Sequence, residues 1–188
     1  MMKTYVLYYD GFAEFEVITA VGNLAQKSDI VPVAIENRPY VSEEKQIFLP
    51  TKTVSEISAD DADVFLIPGG DFNSIIDNPD LKNLIVELDK KKKMIGAICG
   101  GVVFLGHSGV LDGRNFTCYA RDYEIDEETK EKYFKNAVYL EKDVVVDNNI
   151  VTAMGQAFIE FGIEIADMMG IYSTPEDRER DYKWMKNM

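Results

Sequence analysis

Histidine, tryptophan and cysteine are scarce in this 188-residue chain, with one His, one Trp and two Cys, and each scarcity narrows the chemistry. A zinc centre built on two or three imidazoles cannot be assembled from His107 alone, so no metal or cofactor is expected. Cys99 and Cys118 are too few for a disulfide framework in a chain long enough to stand on its own core, and both are expected as free thiols. Basic residues are also in deficit, with Lys plus Arg at 20 against Asp plus Glu at 33 and a net charge of −13. Such a surface repels phosphate backbones and anionic lipid heads, so neither nucleic acid nor membrane is an expected partner. Long apolar runs are missing as well: none approaches the roughly 20 residues that cross a bilayer, and no basic-then-apolar segment opens the chain. A cytoplasmic location is expected.

What is present is an ordinary globular composition, 46% hydrophobic and 28% charged, consistent with one domain over residues 1–188. Thr4 to Tyr9 is a β-rich run broken by Asp10-Gly11, and Val17, Val21, Leu24 and Ala25 follow at helical spacing. Ile30 to Ile35 reads as a second strand, and Ile47-Phe48-Leu49 with Thr51 to Val54 as a small ribbon. Asp63 to Ile67, apolar from Val64 on, and Met94 to Ile98 read as strands covered on both faces. A helix lies between them on Leu81, Leu84, Ile85 and Leu88, closed by the cations Lys90 to Lys93. Asn115 to Tyr119 reads as a further strand, Asp126 to Phe134 as a polar helix, and Val144 to Val146 with Ile150 to Thr152 as a hairpin across Asn148-Asn149. A buried helix through Phe158 to Met169 follows, then a terminal helix over 173–188, N-capped by Thr174 and anchored by Trp184. Strands alternating with helices predict an α/β three-layer sandwich with a mostly parallel sheet.

In such sheets ligands bind beyond the carboxyl ends of the strands, which directs attention to Asp10-Gly11, Pro68-Gly69-Gly70 and Cys99-Gly100-Gly101. The last has the layout of a nucleophile elbow with Cys in place of Ser: a buried strand, a sharp turn of small residues, then a helix. A helix start lowers a thiol pKa, so Cys99 is expected to be more acidic than a free cysteine. The alternative is a buried core cysteine, which has no need of two following glycines. Backbone N–H groups of Gly70 and Gly100 are candidate oxyanion donors. His107 lies eight residues past Cys99, about 12 Å along the same helix, and forms no dyad with it. The acids nearest the crevice are Glu14 and Glu16.

The segments Asp10-Gly11-Phe12-Ala13-Glu14-Phe15-Glu16, Ile67-Pro68-Gly69-Gly70 and Ala97-Ile98-Cys99-Gly100-Gly101, in this order, resemble the DJ-1/ThiJ/PfpI superfamily. Leu111-Asp112-Gly113-Arg114, Thr117-Cys118-Tyr119 and Val144 to Thr152 extend the similarity along nearly the whole chain. The resemblance implies a flavodoxin-like fold, a homodimer, Cys99 as the elbow nucleophile and Glu16, five residues after Gly11, as the acid hydrogen-bonded to it. A carboxyl beside a thiolate is expected protonated, as donor and proton shuttle. Three positions depart from the pattern: Gly100 stands where the protease-like branch has a histidine, Ala120-Arg121 where Pro and Gly commonly follow the Thr-Cys-Tyr segment, and Met154-Gly155-Gln156 where an Arg-Gly-Pro turn precedes the last long helix.

Two functions follow from one thiol. In the first, Cys99 adds to a small reactive carbonyl such as an α-oxoaldehyde, a small-molecule electrophile, with Gly70 and Gly100 on the oxyanion, Glu16 moving the proton and Tyr119 and Arg121 lining the pocket. In the second, Cys99 is a non-enzymatic sensor oxidised by peroxide. An intracellular protease is less favoured, because its adjacent histidine is missing. Cys118 is expected to be a buried structural thiol.

Overall fold

A computed structural model describes residues 1–119 and 125–188. The chain runs β1 (Met2–Leu7), α1 (Phe15–Leu24), β2 (Ser28–Ala34), β3 (Tyr40–Val41), β4 (Ile47–Phe48), β5 (Lys52–Thr53), β6 (Val64–Ile67), α2 (Pro79–Lys90) and β7 (Met94–Ile98). It continues through α3 (Val102–His107), β8 (Asn115–Phe116), α4 (Glu127–Tyr133), β9 (Val138–Tyr139), β10 (Val144–Asp147), β11 (Ile150–Ala153), α5 (Phe158–Met168) and α6 (Pro175–Lys186). Among the described residues seven strands form one sheet in the order β10-β11-β7-β6-β1-β2-β5, parallel throughout except for the β10–β11 hairpin.

Alternation along the central strands sorts side chains to two cores. Tyr5, Leu7, Phe65, Ile67, Ile95 and Ala97 face the layer of α2 and α3, while Val6, Val64, Leu66, Met94 and Ile98 face α1 and α5 through Val17, Leu24, Phe161 and Ile165. Both faces are covered, which is why these strands read as continuous apolar runs rather than alternating ones. The result is the flavodoxin-like three-layer sandwich expected from the βα alternation.

The departures are local. The ribbon pairs β3 with β4, Tyr40 opposite Phe48, around a turn at Ser42 to Gln46, whereas β5 leaves it and extends the main sheet beside Val33 and Ala34. The expected strand 115–119 stops at Phe116, because Thr117 N–H donates to the Thr152 hydroxyl at 3.0 Å and Tyr119 turns to φ 58°. Its β8 pairs with β9 outside the main sheet. Trp184 anchors nothing: it is 79% exposed on α6, a helix with no buried residue.

Candidate active site

The strand ends after β1, β6 and β7 meet over one residue. β7 carries Cys99 into a 3-10 turn, Cys99–Gly101, that leads straight into α3. The Cys99 backbone sits at φ 55°, in the left-handed region that costs a side-chain-bearing residue about 1 kcal/mol or more. That turn lifts the side chain off the strand direction and leaves it partly exposed beyond the sheet. The elbow read from the sequence is thus present in the backbone.

Glu16, in the first turn of α1, is 3% exposed and reaches under the elbow. Its Oε2 accepts the Gly69 N–H at 2.7 Å, and its carboxylate accepts a hydrogen bond from the Cys99 thiol. Two glycines leave room for this. A Cβ on Gly69 would lie 2.5 Å from Glu16 Oε2 and 2.7 Å from Cys99 Cβ; one on Gly155 would lie 2.7 Å from Glu16 Oε1 and 3.3 Å from Cys99 Sγ. The Gly155 turn, which departs from the family's usual Arg-Gly-Pro, is therefore a wall of the site. Gly155 N–H in turn donates to the Tyr119 carbonyl at 2.7 Å, which brings Tyr119 to the same wall.

The electrostatics differ from the sequence expectation. Burial, then the Glu16 charge beside it, push the Cys99 thiol up to about 12, against the lowering by a helix start that was expected. The helix α3 is short and begins only after a 3-10 turn, while the sulfur is largely withdrawn from water. The Gly100 N–H acts the other way, donating to the sulfur. Burial also raises Glu16 to about 7, with the Gly69 N–H and the Cys99 thiol holding it down and Glu43 and Glu44 adding to the rise. Glu16 is therefore not a fixed proton donor. It titrates in the neutral range and in its ionised form accepts from the thiol, which suits a general base.

Gly70 and Gly100 adjoin, since a Cβ on Gly100 would lie 3.1 Å from the Gly70 carbonyl and 3.7 Å from its nitrogen. The Gly70 N–H has no backbone acceptor among the described residues. Arg121 lies outside the described residues. His107 packs edge-on against Tyr133 with Nε2 3.7 Å from Asp77, and burial lowers its pKa; it sits at the far end of α3 as expected. Cys118 is 1% exposed, its pKa raised by burial and then by Cys99. Glu14 is buried too, at 6%, bonded to Gln46, so burial alone does not single out Glu16; the bonds to Gly69 and Cys99 do. No group of three metal-ligating side chains occurs among the described residues.

Sequence reasoning passed over Tyr9. Its hydroxyl is fully buried and donates to the Pro68 carbonyl at 2.8 Å and the Gly69 carbonyl at 2.7 Å. A tyrosine ending a strand reads simply as a β-former, and nothing in its neighbours signals a polar role.

Comparison with known proteins places these features. The sequence profile of the DJ-1/PfpI family matches residues 2–168. An uncharacterized protease, YdeA, of Bacillus subtilis is 29% identical over 184 residues, covering 96% of this chain and 89% of its own length. Protein dj-1beta of Drosophila melanogaster is 28% identical over 169 residues, 86% of each chain, and its crystal structure superposes with a TM-score of 0.82 at 22% identity over 98% of this chain and 97% of that one. The crystal structure of the DJ-1 superfamily protein Atu0886 from Agrobacterium tumefaciens gives a TM-score of 0.84 at 22% identity, covering 100% and 99%.

Proposed function

The chain belongs to the DJ-1/PfpI family, and from that premise we propose that it is a cysteine-dependent hydrolase or lyase of small reactive carbonyl compounds, with Cys99 as nucleophile and Glu16 as its proton acceptor. The observation that carries this reading is the Cys99 elbow at φ 55° closed over a buried Glu16 that titrates near 7.

The step begins with Glu16 ionised. Cys99 Sγ bonds to the aldehyde carbon of an α-oxoaldehyde, the carbonyl electron pair moves onto oxygen, and the thiol proton passes to Glu16. The N–H groups of Gly70 and Gly100 receive the oxyanion, and Glu16 returns its proton to give a hemithioacetal. Proton transfer from that carbon to its neighbour, again through Glu16, gives a 2-hydroxy thioester. Water then releases a 2-hydroxy acid and restores the thiol, so water is the sole co-reactant. With His107 remote, one carboxyl carries every proton, and slow turnover is expected.

The alternative, a peroxide sensor, starts from a thiolate, and the burial that raises Cys99 works against it. Protease chemistry is further off, since Gly100 follows the cysteine. The same reading takes residues 1–188 as one functional unit and the protein as a cytoplasmic homodimer; exposed Phe15 and Ile18 on α1, beside Glu16, support a contact there. Arg121 and Tyr119 remain proposed pocket residues.

The test is product formed from methylglyoxal per mole of protein, without added thiol, for the wild type and Cys99→Ser. Many turnovers that vanish in the variant are expected. One equivalent or less, or full activity in Cys99→Ser, overturns the reading.

A further inference from the structure

We infer that Tyr9 is a positioning residue of this site, its buried hydroxyl fixing at once the peptide that serves Glu16 and the peptide that serves the oxyanion. The inference rests on the reading of Cys99 and Glu16 given above.

A peptide unit is planar and trans, so its C=O and N–H point in opposite directions, and pinning one aims the other. The Pro68 carbonyl belongs to the same peptide as the Gly69 N–H. Tyr9 holds the carbonyl at 2.8 Å, and the N–H meets Glu16 Oε2 at 2.7 Å. The Gly69 carbonyl belongs to the same peptide as the Gly70 N–H. Tyr9 holds that carbonyl at 2.7 Å, Ala13 N–H holds it at 2.8 Å, and the Gly70 N–H is left facing away from both, beside Gly100. One phenolic proton shared between two carbonyls thus aims two successive N–H groups.

The segment needs such a brace. Gly69 and Gly70 have no side chains to lock them, Gly70 sits at φ 119°, and a flipped Gly69–Gly70 peptide would turn a carbonyl toward the developing oxyanion. Tyr9 suits the task because it stays protonated. Burial first, then the charges of Glu16, Cys99, Asp71 and Glu43, hold its hydroxyl well above the usual tyrosine value, so it remains a donor across the working range. The ring is fixed by packing against Phe104 and Phe12.

The consequence for Glu16 has a definite sign. The Gly69 N–H favours the ionised carboxylate, against burial and the charges of Glu43 and Glu44. Slackening that bond raises the pH at which Glu16 ionises. Loosening the Gly70 N–H lowers the rate of the carbonyl step with little effect on substrate binding.

The experiment measures the rate of Cys99 alkylation by iodoacetamide from pH 5 to 9, with kcat and KM for methylglyoxal alongside, in the wild type, Tyr9→Phe, Tyr5→Phe and Glu16→Gln. Tyr5 lies on β1 in the same core, and among the described residues no hydrogen bond or ring contact ties it to the site, so it controls for loss of a tyrosine hydroxyl. The alkylation midpoint is expected to rise by about half a pH unit or more in Tyr9→Phe, with kcat down about 10-fold at similar KM and no change in Tyr5→Phe. A midpoint lost in Glu16→Gln but unmoved in Tyr9→Phe, with kcat intact, overturns the inference alone. A midpoint that survives Glu16→Gln overturns the reading of Glu16 and the inference with it. Site-specific fluorotyrosine at position 9 keeps ring and hydroxyl and donates more strongly, so it tests the same point if Tyr9→Phe fails to fold. Its midpoint is expected to fall, and an unchanged midpoint again overturns the inference.

Discussion

At the Cys99 elbow two ionisable side chains lie against each other under the ends of three strands, whereas α6 contains no buried residue and meets the body through half-exposed charges. Arg178 pairs with Glu164 at 2.9 Å and Asp167 at 3.2 Å, and Lys186 with Glu160 at 2.7 Å. Both regions are rich in charge, yet the outcome differs because solvent differs. Half-exposed pairs of this kind contribute about 0–1 kcal/mol each. Glu16, out of water, cannot ionise at its usual pH, and Cys99 cannot readily lose its proton. The shifts at the elbow follow from what is withdrawn from water and then partly compensated by the N–H groups of Gly69 and Gly100. The match to the DJ-1/PfpI profile, residues 2–168, includes the elbow and stops before α6.

Four substitutions sharpen or break this contrast, the largest effect first. Cys99→Ser is expected to remove at least about 10³-fold of methylglyoxal turnover, since the hydroxyl is a far weaker nucleophile with the same base; steady-state assay with product analysis checks it. Gly155→Ala introduces a Cβ 2.7 Å from Glu16 Oε1, and displacing the base is expected to cost about 10- to 100-fold in kcat/KM, measured against an unchanged far-UV spectrum.

Glu16→Gln trades activity for stability in a pH-dependent way. The folded pKa of about 7 lies above the unfolded value near 4.5, so the folded state binds the extra proton between them. Stability contributed by that proton is present below about pH 4.5 and is lost as pH rises through 7. Glu16→Gln is therefore expected to be more stable than wild type by about 1–3 kcal/mol at pH 8 and nearly equal to it at pH 4, read from urea unfolding at the two pH values. Trp184→Ala, at the opposite pole, is expected to change unfolding free energy by less than about 0.5 kcal/mol and turnover not at all. A large effect at Trp184 would show that α6 is not the passive surface its exposure implies.

The sheet was legible because strands such as Asp63 to Ile67 and Met94 to Ile98 carry apolar residues on both faces, as strands covered on both sides do, and alternate with helices. The elbow was legible because Cys-Gly-Gly at a strand-to-helix junction has few other uses. Less was written in the sequence where a side chain acts through the backbone. Tyr9 looks like any strand residue until its hydroxyl is seen between two carbonyls. Gly155 drew no attention between Met154 and Gln156, the two residues that depart from a familiar Arg-Gly-Pro turn, until its missing Cβ proved to be space for Glu16 and Cys99. The direction of the Cys99 shift was misjudged because a helix start is visible in sequence and desolvation is not. Trp184 was misplaced for the converse reason: a large apolar residue suggests packing, but α6 presents no apolar stripe to support it.

The measurement closest to the central claim is an isotope-edited infrared titration of the Glu16 carboxyl in the wild-type protein, with Glu16→Gln identifying the band. Disappearance of the protonated carboxyl band with a midpoint near pH 7 is the predicted result. A carboxylate already fully ionised at pH 5, as for an exposed glutamate, would contradict the account, because Glu16 would then be no neutral-range proton acceptor for Cys99.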